Sequence, residues 1–204
     1  MFLEIHPKNP QERLISKAAE IVMAGGVIIF PTDTIYALGC DAFNNKAIEK
    51  VCRILGKKPE KANLSLICRD LSNLSAFTTP ISTSVFKLMK KSLPGPFTFI
   101  LDANSNVPKI FKTNKKTVGI RVPDNAICQA ILEKLEHPMV SSSIHSEDDI
   151  LDYITDPEEI YERYEKLTDA VINGGPGGNK PSTVVDCTSG EPEVIREGLG
   201  MLDW

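Results

Sequence analysis

A chain of 204 residues, 42% hydrophobic and 25% charged, is long enough to bury one substantial core. Its formal net charge of −4 gives no global pull toward nucleic acid or an anionic membrane, although a local basic patch remains open. No apolar run approaches bilayer length, and the opening MFLEIHPKNP has neither the basic nor the apolar segment of a signal peptide, so a cytosolic protein without membrane contact is expected.

The first predicted element is a helix. In NPQERLISKAAEIVMAGG, Asn9 stands as N-cap, Pro10 at the first helical position, Glu12 at the capping-box position, and Gly25 and Gly26 as the stop. Leu14, Ala18, Ile21 and Val22 share one face at helical spacing. GVIIF follows, too short for a helix and rich in β-branched residues, and reads as a strand buried on both sides.

The alternation continues down the chain. NKAIEKVCRIL predicts a helix with Ile48, Val51, Cys52 and Leu55 on one side; NLSLICRD predicts a strand and STSVFKLMKKSL a helix. FTFILDA and TVGIRV are strands, NAICQAILEKLE a helix and PMVSSSI a strand. DPEEIYERYEKL opens with Asp156 as N-cap, Pro157 at N1 and Glu159 completing the box, and DAVING, STVVDC and EVIRE close the chain as strands. With no internal repeat, low-complexity segment or long linker, a single α/β domain over residues 1–204 is expected, a mixed sheet flanked by helices. GKKPEKAN, HSEDDILDYIT and NGGPGGNKPS fit neither period; the first and third each lead into a strand and are expected as loops at one rim of the sheet.

Four stretches carry groups that chemistry could use. In PTDTIY, Thr32, Thr34 and Tyr36 alternate after Pro31, either as a half-exposed strand or as a shelf of hydroxyls for a small ligand. In RILGKKPEKANLS, Arg53, Lys57, Lys58 and Lys61 crowd a helix end, either as a solvated terminus or as cations for a phosphate chain. In VSSSIH, the serines lie toward the carboxyl end of a strand, where ligands bind in open α/β sheets; a Ser–His catalytic pair with His145 lacks any nucleophile-elbow pattern. The glycines of NGGPGGNKPS match neither a Walker A nor a dinucleotide fingerprint, while Arg121 and Arg196 interrupt otherwise apolar strands and suit anions. Cys40, Cys52, Cys68, Cys128 and Cys187 lack metal-site or disulfide spacing and read as buried free thiols.

In order along the chain, GGVIIFPTDTIYALGCDA, KKPEKANLSLI, LPGPFTFIL, VGIRVPDN, MVSSSIH, PSTVVD and IREG resemble the YrdC family, with IHPKNPQERLISKAAEIV, CRDLSNLSAF and IREGLG similar to its YciO branch. The resemblance implies a twisted open α/β sheet with a large concave basic groove. It also implies the chemistry of the TsaC type, which makes threonylcarbamoyl-AMP and pyrophosphate from L-threonine, bicarbonate and ATP, with Mg²⁺, for tRNA modification. On that resemblance Thr32, Thr34 and Tyr36 would serve the threonine end. Lys57, Lys58, Ser141, Ser143, Ser182, Thr183 and Arg196 would serve the nucleotide, and Lys58 and Arg121 would be the catalytic cations.

Two departures fall on the nucleotide side. Where TsaC-type enzymes carry K-x-R-P this chain has Gly56 and Lys58, and where they carry S-x-N it has Ser143 and His145. Lysine cannot reproduce the bidentate fork of arginine, and imidazole cannot both donate and accept as an amide does. A hydrolase of threonylcarbamoyl-AMP or a related nucleotide is therefore the second reading. A non-catalytic protein binding tRNA or double-stranded RNA through Lys109, Lys112, Lys115, Lys116 and Arg121 is the third. Residues 145–155 are left open as a lid.

Overall fold

The computed structural model describes residues 1–62, 64–72, 74–108, 116–144 and 153–203. Along them run β1 (Phe2–Glu4), α1 (Glu12–Met23), β2 (Ile28–Phe30), β3 (Ala37–Asp41), α2 (Asn45–Ile54), β4 (Ser65–Ile67), α3 (Thr83–Ser92) and β5 (Phe97–Asp102). Then come β6 (Thr117–Arg121), α4 (Ala126–Leu135), β7 (Met139–Ser143), α5 (Pro157–Tyr164), β8 (Ala170–Asn173), β9 (Thr183–Asp186) and β10 (Glu193–Arg196). The strands form one mixed sheet in the order β1-β8-β2-β3-β7-β4-β6-β5-β9-β10. β1/β8, β2/β8, β4/β6 and β5/β9 pair parallel; β2/β3, β3/β7, β4/β7, β5/β6 and β9/β10 pair antiparallel.

Local chemistry explains most boundaries. Asn44, Ser82 and Asn125 accept the N–H of Ala47, Val85 and Cys128, capping α2, α3 and α4. Asp156 caps α5 through the Glu158 N–H, but Glu159 pairs with Arg163 instead of closing a capping box. α1 begins later than its capping pattern predicts. His6 Nδ1 takes the N–H groups of Lys8 and Asn9, so Asn9 is held in the preceding turn, Gln11 becomes the N-cap residue and Glu12 pairs with Lys134 of α4.

Two strands escape sequence periodicity. β1 is three residues long, and its strand character comes from pairing with β8. β3 is hidden behind PTDTIY, because Phe30 pairs with Ala37 and residues 31–36 are the loop of the β2–β3 hairpin rather than a continuing strand.

Side chains alternate across each strand, so the sheet has two faces with different covers. On one face Ile29, Leu38, Leu66, Phe99, Ile120, Val140, Val171 and Val185 pack with residues of α2, α3 and α5. On the other, α1 and α4 bury Leu3, Ile28, Phe30, Ala37, Ile67, Met139, Ala170 and Ile172. α1 and α4 cover only the β1–β8–β2–β3 half and its border with β7 and β4; the same face of β6, β5 and β9 contributes nothing to their cluster. All five cysteines are buried and none forms a disulfide, and among the described residues no helix is long and apolar enough to cross a membrane.

Phe99, fully buried at the centre of β5 on the helix-covered face, tests this division. Phe99→Ala is expected to lower stability in urea titration by about 3–5 kcal/mol, as for a large side chain removed from a packed core.

Candidate active site

Where helices stop covering the sheet, its residues change character. Ile67 lies under α4, and Ser65, two residues earlier on the same face, does not; Met139 is covered, and Ser141 and Ser143 on the same face are not. These hydroxyls, Thr98 and Ile100 of β5, Thr117, Gly119 and Arg121 of β6, and Ser182 and Val184 of the β9 region line a pocket of about 350 Å³. Pro59, Leu64 and Ile195 supply apolar walls, and Arg196 closes the far side. Among the described residues, the lining holds two guanidinium groups and no carboxylate.

Gly119 keeps the floor open. It pairs with Ser65 across the β4–β6 ladder, and a Cβ there would meet Ser65 Oγ at 2.8 Å and Thr98 Cγ2 at 3.3 Å. At the far wall, Arg196 donates to the Ser182 carbonyl at 2.8 Å and its hydroxyl at 3.3 Å, and that hydroxyl shares a hydrogen bond with Thr98 at 2.8 Å.

Arg121 lies at the seam between covered and bare halves, paired in register with Ile67. One terminal nitrogen donates to Asp33 Oδ1 and to Thr34 Oγ1, both at 3.0 Å. Thr34 Oγ1 in turn shares a hydrogen bond with Thr32 Oγ1 at 3.1 Å, and Thr32 donates to the Ile35 carbonyl at 2.7 Å. The hairpin loop thus reaches the pocket through Arg121. Burial is the main force on both charges, pushing the Asp33 carboxyl above the ordinary carboxylate range and the Arg121 guanidinium below its own, while each charge opposes the shift of the other.

Tyr36 ties a second loop to the first. Its hydroxyl donates to the Gly175 carbonyl at 2.7 Å and accepts the Gly174 N–H at 3.2 Å. A Cβ at Gly177 would come within 2.6 Å of the Tyr36 ring, and one at Gly178 within 2.0 Å of the Thr34 carbonyl, so this glycine-rich stretch lies flat against PTDTIY.

A second cavity, about 260 Å³, is lined by Cys68, Arg69, Asp70, Phe77 and His137 among others. Arg69 is paired with Asp70 there, and burial pushes the Cys68 thiol up to about 12, which keeps that thiol protonated and inert.

The model of the Sua5/YciO/YrdC family, described as "Telomere recombination", matches residues 20–198. The chain belongs to that family. It is 48% identical over 200 residues to the "Uncharacterized protein YciO" of Escherichia coli strain K12, covering 98% of this chain and 96% of that one. The crystal structure of E. coli YciO superposes with a TM-score of 0.91 over 98% of this chain and 97% of that one, at 47% identity. Sua5 of P. abyssi complexed with L-threonine superposes with a TM-score of 0.88 over 97% of this chain and 57% of that one, at 25% identity.

Within this Sua5/YciO/YrdC domain the residues singled out from sequence divide by location. Arg121, Ser141, Ser143, Ser182 and Arg196 all line the pocket. Lys57 and Lys58 are exposed at its rim, immediately before Pro59. Thr32, Thr34 and Tyr36 are buried and bonded within the protein, with Thr34 touching Arg121 from behind. Thr183 points to the opposite face, donating to the Gly200 carbonyl at 2.6 Å and accepting the Gly198 N–H at 2.9 Å. His145, Lys109, Lys112 and Lys115 lie outside the described residues, as does most of the stretch 145–155.

Ser65, Thr98, Thr117 and Gly119 were not singled out. Their signal is a hydroxyl or glycine at alternate positions in apolar strands, legible once the covered face is known. Asp33, passed over between two threonines, is the buried partner of Arg121.

Burial pushes the Tyr36 hydroxyl up from 10.0 to about 12. A raised folded value means its contribution is fully present below pH 10 and is lost as pH rises toward 12, since the unfolded chain ionises first. Tyr36→Phe should therefore lose less stability than wild type between pH 10 and 12 in urea titrations. Equal losses would show that Tyr36 is not shielded.

Proposed function

We propose that the chain is a threonylcarbamoyl-AMP synthase, binding ATP on the bare sheet face and L-threonine beside the β2–β3 hairpin. The observation that carries this reading is the pocket floor, where Ser65, Thr98, Thr117, Ser141, Ser143 and Ser182, six hydroxyl-bearing residues, lie between Arg121 and Arg196 with no carboxylate among the described lining residues. Such a surface donates to phosphoryl oxygens and opposes their charge, and apolar Leu64, Ile100, Val184 and Ile195 suit the flat faces of a base. The likeness to Sua5 complexed with L-threonine supports the amino-acid half.

The chemistry asks mainly for positioning. Threonine's amine and bicarbonate combine with loss of water to give N-carboxythreonine. Its carboxylate oxygen attacks the α-phosphorus in line, the bond to the β-phosphate oxygen breaks, and pyrophosphate leaves. Ser141, Ser143 and Ser182 would orient phosphoryl oxygens, Arg121 and Arg196 would oppose the charge that develops, and Lys58 would add a point charge from the rim. The described pocket residues include no carboxylate, and among the described residues no three His, Cys, Asp or Glu cluster to hold a metal. They do not build a Mg²⁺ site, so magnesium would enter with ATP as part of the substrate.

Hydrolysis of a preformed adenylate is the second reading, favoured by Gly56. Its φ is +63°, its N–H bonds the Arg53 carbonyl and the Lys57 N–H bonds the Cys52 carbonyl, both at 3.0 Å, the Schellman close of α2. The position that carries a lysine in TsaC-type enzymes is here the helix stop. Lysine at 56 would be held in a left-handed conformation at a cost of about 1 kcal/mol.

The deciding assay incubates the protein with ATP, L-threonine and bicarbonate and follows pyrophosphate, then supplies preformed threonylcarbamoyl-AMP and follows AMP. Pyrophosphate release that requires all three substrates is expected. AMP release alone would establish the hydrolase, and tight, salt-sensitive RNA binding with neither activity would establish the binder. Lys58→Ala is expected to weaken ATP binding several-fold and flatten its salt dependence, because a point charge at an exposed rim is screened. An unchanged salt slope in calorimetry would leave Lys58 a solvated helix end.

A further inference from the structure

Asp33 and Arg121 form a pair almost sealed from solvent, with side chains 8% and 7% exposed, yet joined at one corner only. A single terminal nitrogen of Arg121 serves both Asp33 Oδ1 and Thr34 Oγ1, while among the described residues Arg121 Nε and Asp33 Oδ2 are buried without a hydrogen-bond partner, the Asp124 N–H adding only a smaller pull toward the ionised carboxylate. A pair kept for packing would be expected to meet fork to fork, with both carboxylate oxygens used. Here the protein grips the guanidinium by one terminal nitrogen, and the other terminal nitrogen is left for the pocket that Arg121 lines.

We propose that Asp33 is a positioning residue: holding Arg121 by its rear nitrogen, it aims the guanidinium across the bare sheet face at an anionic oxygen of the ligand, a phosphate or a carboxylate. This rests on the reading of that face as a nucleotide site and assigns a role within it to a residue that never meets the ligand. Thr34 supplies the second acceptor on the same nitrogen, so the hairpin loop controls the direction of the fork as well as its charge.

Charge and position pull affinity in opposite directions, which makes the role measurable. If Asp33 acted only as a negative charge near the pocket, removing it would tighten anion binding. If it positions Arg121, removing it must weaken binding although the pocket becomes more positive.

The test is calorimetric titration of the full chain with inorganic pyrophosphate, well below each variant's thermal midpoint, for wild type, Asp33→Asn, Asp33→Glu, Arg121→Lys and Thr34→Val. Asp33→Asn and Arg121→Lys are each expected to weaken binding tenfold or more, with Asp33→Glu recovering part of the loss. Thr34→Val, which leaves the charge pair intact, should weaken it about threefold and carries the test if Asp33→Asn does not fold. Unchanged or tighter binding in Asp33→Asn, in Arg121→Lys, or in Thr34→Val where that variant carries the test, would overturn the proposal. So would a wild-type chain that does not bind pyrophosphate. Failure of the chain to release pyrophosphate from ATP would refute the synthase reading while leaving this binding result to stand or fall by itself.

Discussion

One face of the sheet has helices over only half its width, and most of the molecule's organisation follows from that. α1 and α4 seal one half with Ile28, Phe30, Ile67, Met139 and Ile172 beneath them. Beyond their reach a sheet face meets solvent, and a contiguous apolar surface there would invite association. Ser65, Thr98, Thr117, Ser141, Ser143 and Ser182 stand there instead, and Gly119 keeps the floor flat enough for a ligand to approach the backbone. The hydroxyl-rich floor and the apolar core of the opposite face are products of the same strands, read at alternate residues.

Arg121 is where the two halves meet. Its burial costs solvation that one partial ion pair does not fully return, and a buried pair with unpaired atoms is weak ground for stability. A fold maintained only for its own stability gains little from such a residue. A site that must present a fixed cation to an anion gains a guanidinium whose orientation is set before the ligand arrives. The flat packing of Gly177 and Gly178 on PTDTIY, with Tyr36 bonded to the loop before them, holds the hairpin that grips Arg121.

Much of this was legible in the sequence. Strong local signals located the helices and most strands, because Asn125 and Asp156 cap where cap residues should and GVIIF is buried on both faces. Order along the chain, rather than any one motif, pointed to the family, and five of the site residues that the resemblance implied, Arg121, Ser141, Ser143, Ser182 and Arg196, line one pocket. What could not be read depended on pairing. PTDTIY becomes a hairpin loop only because Ala37 pairs back on Phe30, β1 takes its strand character from pairing with β8, and the pocket lies on a sheet face rather than at a strand rim because of where α1 and α4 end. Asp33 gave no periodic signal at all; its meaning lies in Arg121, 88 residues away. Gly56 is the converse case, where a departure in a binding motif turns out to be a helix stop with its own conformational reason.

The most direct measurement is a crystal structure of the chain soaked with ATP. If the uncovered half of the sheet is the ligand surface, the phosphates lie over Gly119 among the hydroxyls of Ser141, Ser143 and Ser182. Arg121 and Arg196 then bond phosphoryl oxygens from opposite sides, with Asp33 still holding the rear nitrogen of Arg121. Nucleotide bound elsewhere, such as in the cavity beside Cys68, with the hydroxyl floor bare, would contradict it.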